Sequence, residues 1–113
     1  MQYRLEITQA AEDELHSIAA WWAAERSAEQ AGRWLAGFQT QLSSLAQMPT
    51  RCPLAAETGL LSLELRELHY GLSGRATHRA VFTIIEDEAD CRVVILAIRH
   101  VSRDRLRAEN LPQ

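Results

Sequence analysis

The first residues of the chain alternate between apolar and charged side chains. Every second residue from Tyr3 to Ile7 is apolar, and the residues between them are charged. A two-residue period is typical of a strand with one buried face, so we predict a strand here. Thr8 follows directly, and its hydroxyl is of the kind that caps the N-terminus of a helix.

The pattern then changes to the period of a helix. Apolar residues recur every three or four positions over residues 11–22 and again over residues 31–45. This spacing predicts two amphipathic helices, the first ending near Glu25 and the second ended by Pro49. Ser27, with a glutamine three positions later, is a capping-box signature for the second helix. Because the connection is short, we expect an antiparallel helical hairpin.

Three further strands are predicted after a loop, residues 49–59, that contains two prolines and a glycine. They cover about residues 63–70, 78–85 and 92–100. The alternation slips at Arg66–Glu67, which predicts a bulge in the first of them. The last strand contains six consecutive apolar residues. Such a run is typical of an interior strand that is covered on both faces.

The order of elements, β-α-α-β-β-β, predicts the fold class. We expect a single α+β domain over residues 1–113, with two layers, in which the helical hairpin packs on an antiparallel sheet. The hairpin can cover only one face of that sheet. We therefore expect the opposite face to be apolar and open until a partner covers it, which favours a binding protein.

Composition is that of an ordinary globular protein. The 113 residues are 47% hydrophobic and 24% charged, with a net charge of −3. The longest apolar run is far shorter than the ~20 residues of a membrane helix. The N-terminus lacks the apolar core of a signal peptide, so a cytoplasmic location is expected.

Two features of composition limit the chemistry. The chain has two cysteines, Cys52 and Cys91, and no C-x-x-C pair. This predicts reduced structural thiols and gives no indication of zinc or another cofactor. All twelve basic residues are arginines, so a lysine nucleophile or Schiff base is excluded.

Charge is distributed unevenly along the chain. Residues 1–50 contain three arginines and six carboxylates, whereas residues 92–107 contain five arginines and one carboxylate. The overall charge argues against non-specific binding of nucleic acid, while the local charge leaves a specific site open, although direct sequence-specific binding is not expected. An anionic partner would be bound by the C-terminal part.

Four segments, in order and with matching spacing, resemble the ParE-like toxins of the RelE/ParE toxin–antitoxin superfamily. The resemblance runs from about Tyr3 to Leu106. The segments are ITQAAEDELHSIAAWWAAERS, RWLAGFQTQLSSLAQMPTRCPLAAE, LRELHYG and AIRHVSRD.

The resemblance implies a toxin of the kind often described as a plasmid stabilisation protein. An antitoxin would bind it in an inactive complex, and its assembly state with itself or with the antitoxin stays open. In this superfamily the ParE branch inhibits DNA gyrase, while the RelE branch cleaves messenger RNA on the ribosome. A third hypothesis is a non-toxic module that only sequesters its neighbour or regulates its operon.

RNA cleavage would need a base, an acid and cations near the phosphate. Residues of these types are His78, Arg79, His100 and Arg66. RelE-type nucleases have an arginine early in the strand that Arg79 would occupy. Their lysines and their C-terminal tyrosine have no counterpart here, because the chain has no lysine and no tyrosine after Tyr70. The sequence therefore favours the gyrase branch, which needs only a binding surface.

The predicted partner-binding residues lie in the arginine-rich C-terminal part and on the first helix. They are Trp21, Arg99, His100, Arg103, Arg105 and Arg107. A structural alternative accompanies each prediction. Arg66 and Arg79 would form ion pairs with carboxylates such as Glu64 or Glu67, and the C-terminal arginines would form a solvated tail.

Overall fold

The computed structural model describes residues 2–101 and 106–111, so Arg103 and Arg105 lie outside the described residues. No helix in these two ranges is long and apolar enough to cross a bilayer. The elements agree with the predicted order. The helices are α1 (Gln9–Glu25) and α2 (Ala28–Ser43), and the strands are β1 (Arg4–Ile7), β2 (Arg66–Tyr70), β3 (His78–Glu86) and β4 (Cys91–His100).

The four strands form one sheet in the order β1-β4-β3-β2. The β2–β3 and β3–β4 pairs are antiparallel, but β1 runs parallel to β4, with Leu5 opposite Val93. The α+β, two-layer fold is confirmed, while the prediction of a purely antiparallel sheet was wrong for this pair. An alternating pattern indicates which side of a strand is buried, not the direction of its neighbour.

The helical hairpin covers one face of the sheet, as predicted. Both caps are present, because the hydroxyl of Thr8 accepts the N–H of Ala11 and that of Ser27 accepts the N–H of Gln30, each at 3.1 Å. The second helix ends earlier than predicted and is followed by a short 3-10 turn, Ser44–Ala46. The core on this side contains the fully buried aromatic and aliphatic residues Trp34, Phe38, Leu45, Phe82, Val93 and Ile98.

The opposite face of the sheet is also covered, so the prediction of an open apolar face was wrong. Leu96 and Val81 lie in a second buried cluster with Leu65 from the loop before β2, and with Leu106 and Leu111 from the C-terminal segment. The chain itself therefore supplies the cover that an apolar interior strand requires. Because this face is covered within the described residues, it gives no reason to expect a partner there.

The bulge also lies elsewhere than predicted. The pairing of β2 with β3 is continuous through Arg66 and Glu67. The register shifts in the next pair, where Val81 lies opposite Ala97 and Phe82 lies opposite Ile95, which leaves Leu96 as the extra residue. An extra residue in one strand is the definition of a bulge. It allows Leu96 and Ala97 both to join the second cluster.

Candidate partner-binding site

A groove of about 1010 Å³ lies between α1 and the adjoining ends of β3 and β4. We call it the α1 groove. It opens where β3 begins and β4 ends, since these antiparallel strands pair His78 with His100. Residues of α1 line one side, from Asp13 to Trp22, and Arg26 follows the helix at its end. Arg107 from the C-terminal segment completes the lining.

Two adjacent tryptophans give the groove an apolar side. Trp22 lies on the buried stripe of α1 and packs against the core, whereas Trp21 is 55% exposed. Their rings meet edge to face with centroids 5.9 Å apart. The indole N–H of Trp22 is buried and has no hydrogen-bond partner in the described part of the chain. An exposed tryptophan beside such a donor has the character of an anchor for a protein partner.

Two histidines lie at the end of the groove formed by the sheet. The rings of His78 and His100 have centroids 5.5 Å apart and an interplanar angle of 74°. His78 also packs edge to face on Trp34, at 5.3 Å, and its Nδ1 lies 2.9 Å from the hydroxyl of Thr77. These contacts with Trp34 and Thr77 hold the ring of His78, and the ring of His100 packs against it.

Arg99 is not available as a free cation. Its guanidinium pairs with the carboxylate of Glu14 on α1, and the other oxygen of Glu14 accepts the backbone N–H of Ile98 at 3.0 Å. Glu14 thus joins α1 to the end of β4 and neutralises the predicted partner-binding charge of Arg99. The position of Glu14 in the first half of α1 does not by itself indicate its contact with Arg99.

The other arginines of the groove remain exposed. Arg26 follows the last residue of α1, and Arg107 lies in the C-terminal segment. Neither side chain has an ion-pair partner within residues 2–101 and 106–111. Asp13 also lines the groove, and Glu14 is paired with Arg99, so Arg26 and Arg107 leave the described lining with a net positive charge that a carboxylate-rich partner would complement.

Arg79 lies on the other side of the sheet from His78. It is buried in an ion-pair cluster, where it binds both oxygens of Glu57 and donates from Nη1 to Glu67 at 2.9 Å. The hydrogen bonding of the Arg79 guanidinium to the Glu57 carboxylate is the main reason that the pKa of Arg79 is raised. Its charge is fully matched by carboxylates, as the ion-pair alternative predicted.

Glu57 is the centre of this cluster. Burial, the largest single influence, raises the pKa of its carboxyl group. The hydrogen bonds from Arg79 and from the backbone N–H of Leu106, together with the positive charge, outweigh burial and lower the pKa to about 2. Glu57 therefore stays ionised in the interior.

The side chain of Arg66 also makes its contacts within the chain. Its guanidinium donates to the carbonyl oxygen of Cys52 at 2.6 Å and pairs with Glu64 at 3.1 Å. It lies four residues along β2 from Tyr70, the partner of His78. This places it more than ~10 Å from the histidine pair.

The structure therefore brings together only some of the predicted residues. Trp21, His78, Arg99, His100 and Arg107 all line the α1 groove. Arg79 and Arg66 lie outside it. Sequence reasoning missed Glu57, Glu14 and Arg26. No local pattern signals Glu57, because its partners are 22 and 49 residues away along the chain.

No cluster of three or more potential metal ligands occurs among the residues that the structure describes. Cys52 is buried and Cys91 is half-buried, and both are free thiols. Burial raises the pKa of the Cys52 thiol, although Arg51 and Arg66 act in the opposite direction. The Cys52 thiol is thus in an environment that disfavours the reactive thiolate.

The helical hairpin on a four-stranded sheet is a fold that this chain shares with solved chains from two toxin–antitoxin systems. The chromosomal ParDE toxin–antitoxin system of P. aeruginosa contains a chain with TM-score 0.71 and 20% identity, over 89% of this chain and 98% of that one. The toxin–antitoxin complex RelBE2 of Mycobacterium tuberculosis gives TM-score 0.58 and 24% identity, over 88% and 99%. At these identities the likeness shows the fold alone.

The family follows from the sequence match. Residues 5–105 match the family described as ParE toxin of type II toxin–antitoxin system, parDE. The chain belongs to the ParE toxin family, and the resemblance seen in its four segments is confirmed. No curated protein sequence matches it significantly.

Proposed function

We propose that this chain is a type II toxin that acts by binding and inhibiting DNA gyrase, and that a cognate antitoxin neutralises it. Its site of action would be the cytoplasm. The α1 groove would be the contact surface, with Trp21 as the apolar anchor and Arg26 and Arg107 as the charged rim. Family membership and the RelE/ParE fold support the toxin role.

The observation that carries the choice of binding over catalysis is the position of Arg79. A phosphorane-stabilising arginine must direct its charge at the substrate. Arg79 is instead buried between Glu57 and Glu67, on the face of the sheet opposite the histidine pair. A protein that inhibits by binding needs no catalytic group, so it does not require Arg79 to lie beside the two histidines.

An antitoxin partner is supported by both structural relatives. The P. aeruginosa chain comes from a toxin–antitoxin system, and the M. tuberculosis chain from a toxin–antitoxin complex. A short open reading frame beside this gene would encode the partner. We expect its toxin-binding segment to be acidic, because the rim of the α1 groove is positive.

A supercoiling assay with purified gyrase and relaxed plasmid tests the proposal. The wild-type protein should inhibit supercoiling, and added antitoxin should restore it. Trp21→Ala should weaken inhibition about 30-fold, as expected for an interface anchor. The matched control is Leu54→Ala, since Leu54 is exposed to a similar degree, 51%, but does not line the groove. Full gyrase activity at saturating wild-type toxin would refute the gyrase target.

A ribosome-dependent nuclease is the second candidate, because His78 and His100 place two potential proton-transfer groups in the groove. Primer extension on translated messages would then show codon-linked cuts that His100→Ala abolishes. If the protein is harmless on overexpression and only binds its antitoxin tightly, the non-toxic module is correct instead.

A further inference from the structure

The buried cluster on the second face of the sheet contacts the C-terminal segment directly. Glu57 has a side chain only 2% exposed and that of Arg79 is 7% exposed. One oxygen of Glu57 accepts Arg79 Nη1 at 2.9 Å. The other accepts Arg79 Nη2 and also the backbone N–H of Leu106, the latter at 2.9 Å. One carboxylate thus joins strand β3 to the backbone of the C-terminal segment.

The segment that follows Leu106 is internally ordered. The backbone N–H of Arg107 donates to the side-chain oxygen of Asn110 at 2.9 Å, and a 3-10 turn covers Ala108–Asn110. The side chains of Leu106 and Leu111 are buried in the second cluster on either side of this turn. Arg107 itself is exposed and lines the α1 groove.

We propose that Glu57 is a positioning residue for the α1 groove: its carboxylate fixes the backbone of Leu106 against the sheet and so sets the next residue, Arg107, at the rim. The apolar contacts of Leu106 and Leu111 are non-directional and would permit small shifts of the segment. A charge-assisted hydrogen bond has a defined length and direction.

Stability alone gives little reason for this cluster. A buried ion pair is commonly no more stabilising than well-packed apolar side chains of the same volume. A fixed backbone, in contrast, has a direct consequence for recognition. An arginine that is already placed loses less conformational freedom when a partner binds, and the affinity rises accordingly.

Glu57→Gln provides the test, because glutamine keeps the size but leaves one acceptor oxygen for three donors. Amide hydrogen exchange at Leu106 should become at least about tenfold faster. Trypsin cleavage at the Arg107–Ala108 bond should accelerate in parallel. Thr83→Val is the matched control: Thr83 lies on the same strand as Arg79, but its hydroxyl donates to the carbonyl of Glu64 at 3.0 Å and not to the C-terminal segment. Glu57→Asp, which keeps the charge, should lie between wild type and Glu57→Gln.

The functional part of the inference rests on the proposed function and is tested by a double-mutant cycle on gyrase inhibition. Glu57→Gln and Arg107→Ala should each weaken inhibition by about tenfold, and the double variant should be little weaker than either alone. Additive effects, or a Leu106 amide that stays protected in Glu57→Gln, would overturn the inference. If wild-type toxin leaves gyrase active, the proposed target fails, while the exchange and cleavage rates still decide whether Glu57 positions Arg107.

Discussion

The face of the sheet that packs on α1 and α2 buries a continuous cluster of aromatic and aliphatic side chains, whereas the opposite face closes around a buried ion pair. On the helix side, the ring of Trp34 packs edge to face on those of Phe38 and His78, with ring centroids 5.4 Å and 5.3 Å apart. On the second side, Arg79 and Glu57 lie beside the apolar cluster that Leu106 and Leu111 complete.

The two faces differ in how they specify position. Apolar packing on the helix side excludes water over a large area and does not depend on any one bond. The second face is covered by a loop and a short C-terminal segment that have little regular structure. Hydrogen bonds donated to a buried carboxylate give these segments a fixed place that packing alone would not give them.

The largest effect is expected from truncating the helix-side core. Trp34→Ala should lower the free energy of unfolding by about 3–5 kcal/mol, because it empties a fully buried site. The indole N–H of Trp34 has no hydrogen-bond partner among the described residues, so the loss reflects packing. Urea unfolding measures it. The control Trp21→Ala removes the same side chain from an exposed site and should cost less than about 1 kcal/mol.

A slightly smaller effect is expected from breaking the ion pair on the second face. Arg79→Met should cost about 3 kcal/mol, since it leaves the charge of Glu57 buried without its main partner. Glu67→Gln is the control, because it keeps the Arg79–Glu57 pair and should cost about 1 kcal/mol. Equal losses in the two variants would show that Glu57 is not the critical carboxylate.

Lowering the pH should reduce the free energy of unfolding through Glu57 on the second face of the sheet. The pKa of Glu57 is about 2 in the folded protein, compared with 4.5 as its ordinary value. A lowered pKa stabilises the fold above pH 4.5, and this contribution is lost as the pH falls from 4.5 through about 2. Between pH 5 and pH 2 the wild type should therefore lose on the order of 2–3 kcal/mol more than Glu57→Gln does. Urea unfolding at each pH measures this difference. Parallel plots of the free energy of unfolding against pH for the wild type and Glu57→Gln would contradict the lowered pKa of Glu57.

The sequence predicted the helix-side layer well because its information is local. Helical spacing and the capping residues Thr8 and Ser27 indicate where each helix begins, and alternation indicates the strands. It could not predict that β1 runs parallel to β4, or that the loop before β2 returns to cover the second face. Both depend on residues far apart in the chain, such as Ala55 and Leu111, which belong to the same buried cluster.

The candidate site was predictable in part for the same reason. The helical spacing of Ala11, Leu15 and Ile18 puts Trp22 on the buried stripe of α1 and leaves Trp21 off it, and Trp21 is exposed. His78 and His100 are both candidates from the sequence, but only the structure shows that they lie opposite each other on adjoining strands. The ion pairs of Arg66 with Glu64 and of Arg79 with Glu67 agree with the structural alternative predicted from the sequence. The pairs of Arg99 with Glu14 and of Arg79 with Glu57 were not predictable, because no local pattern connects these residues.

The smallest effect is expected from a single helix cap on the helix side. Ser27→Ala removes the acceptor for the N–H of Gln30 at the start of α2 and should cost about 1 kcal/mol. Ser27→Asp keeps an acceptor there and should cost close to nothing. Hydrogen exchange at Leu106 should not change in either variant, because the cap lies on the face that does not hold the C-terminal segment. Faster exchange at Leu106 in Ser27→Ala would mean that the two faces unfold together and that the distinction between them does not extend to their stability.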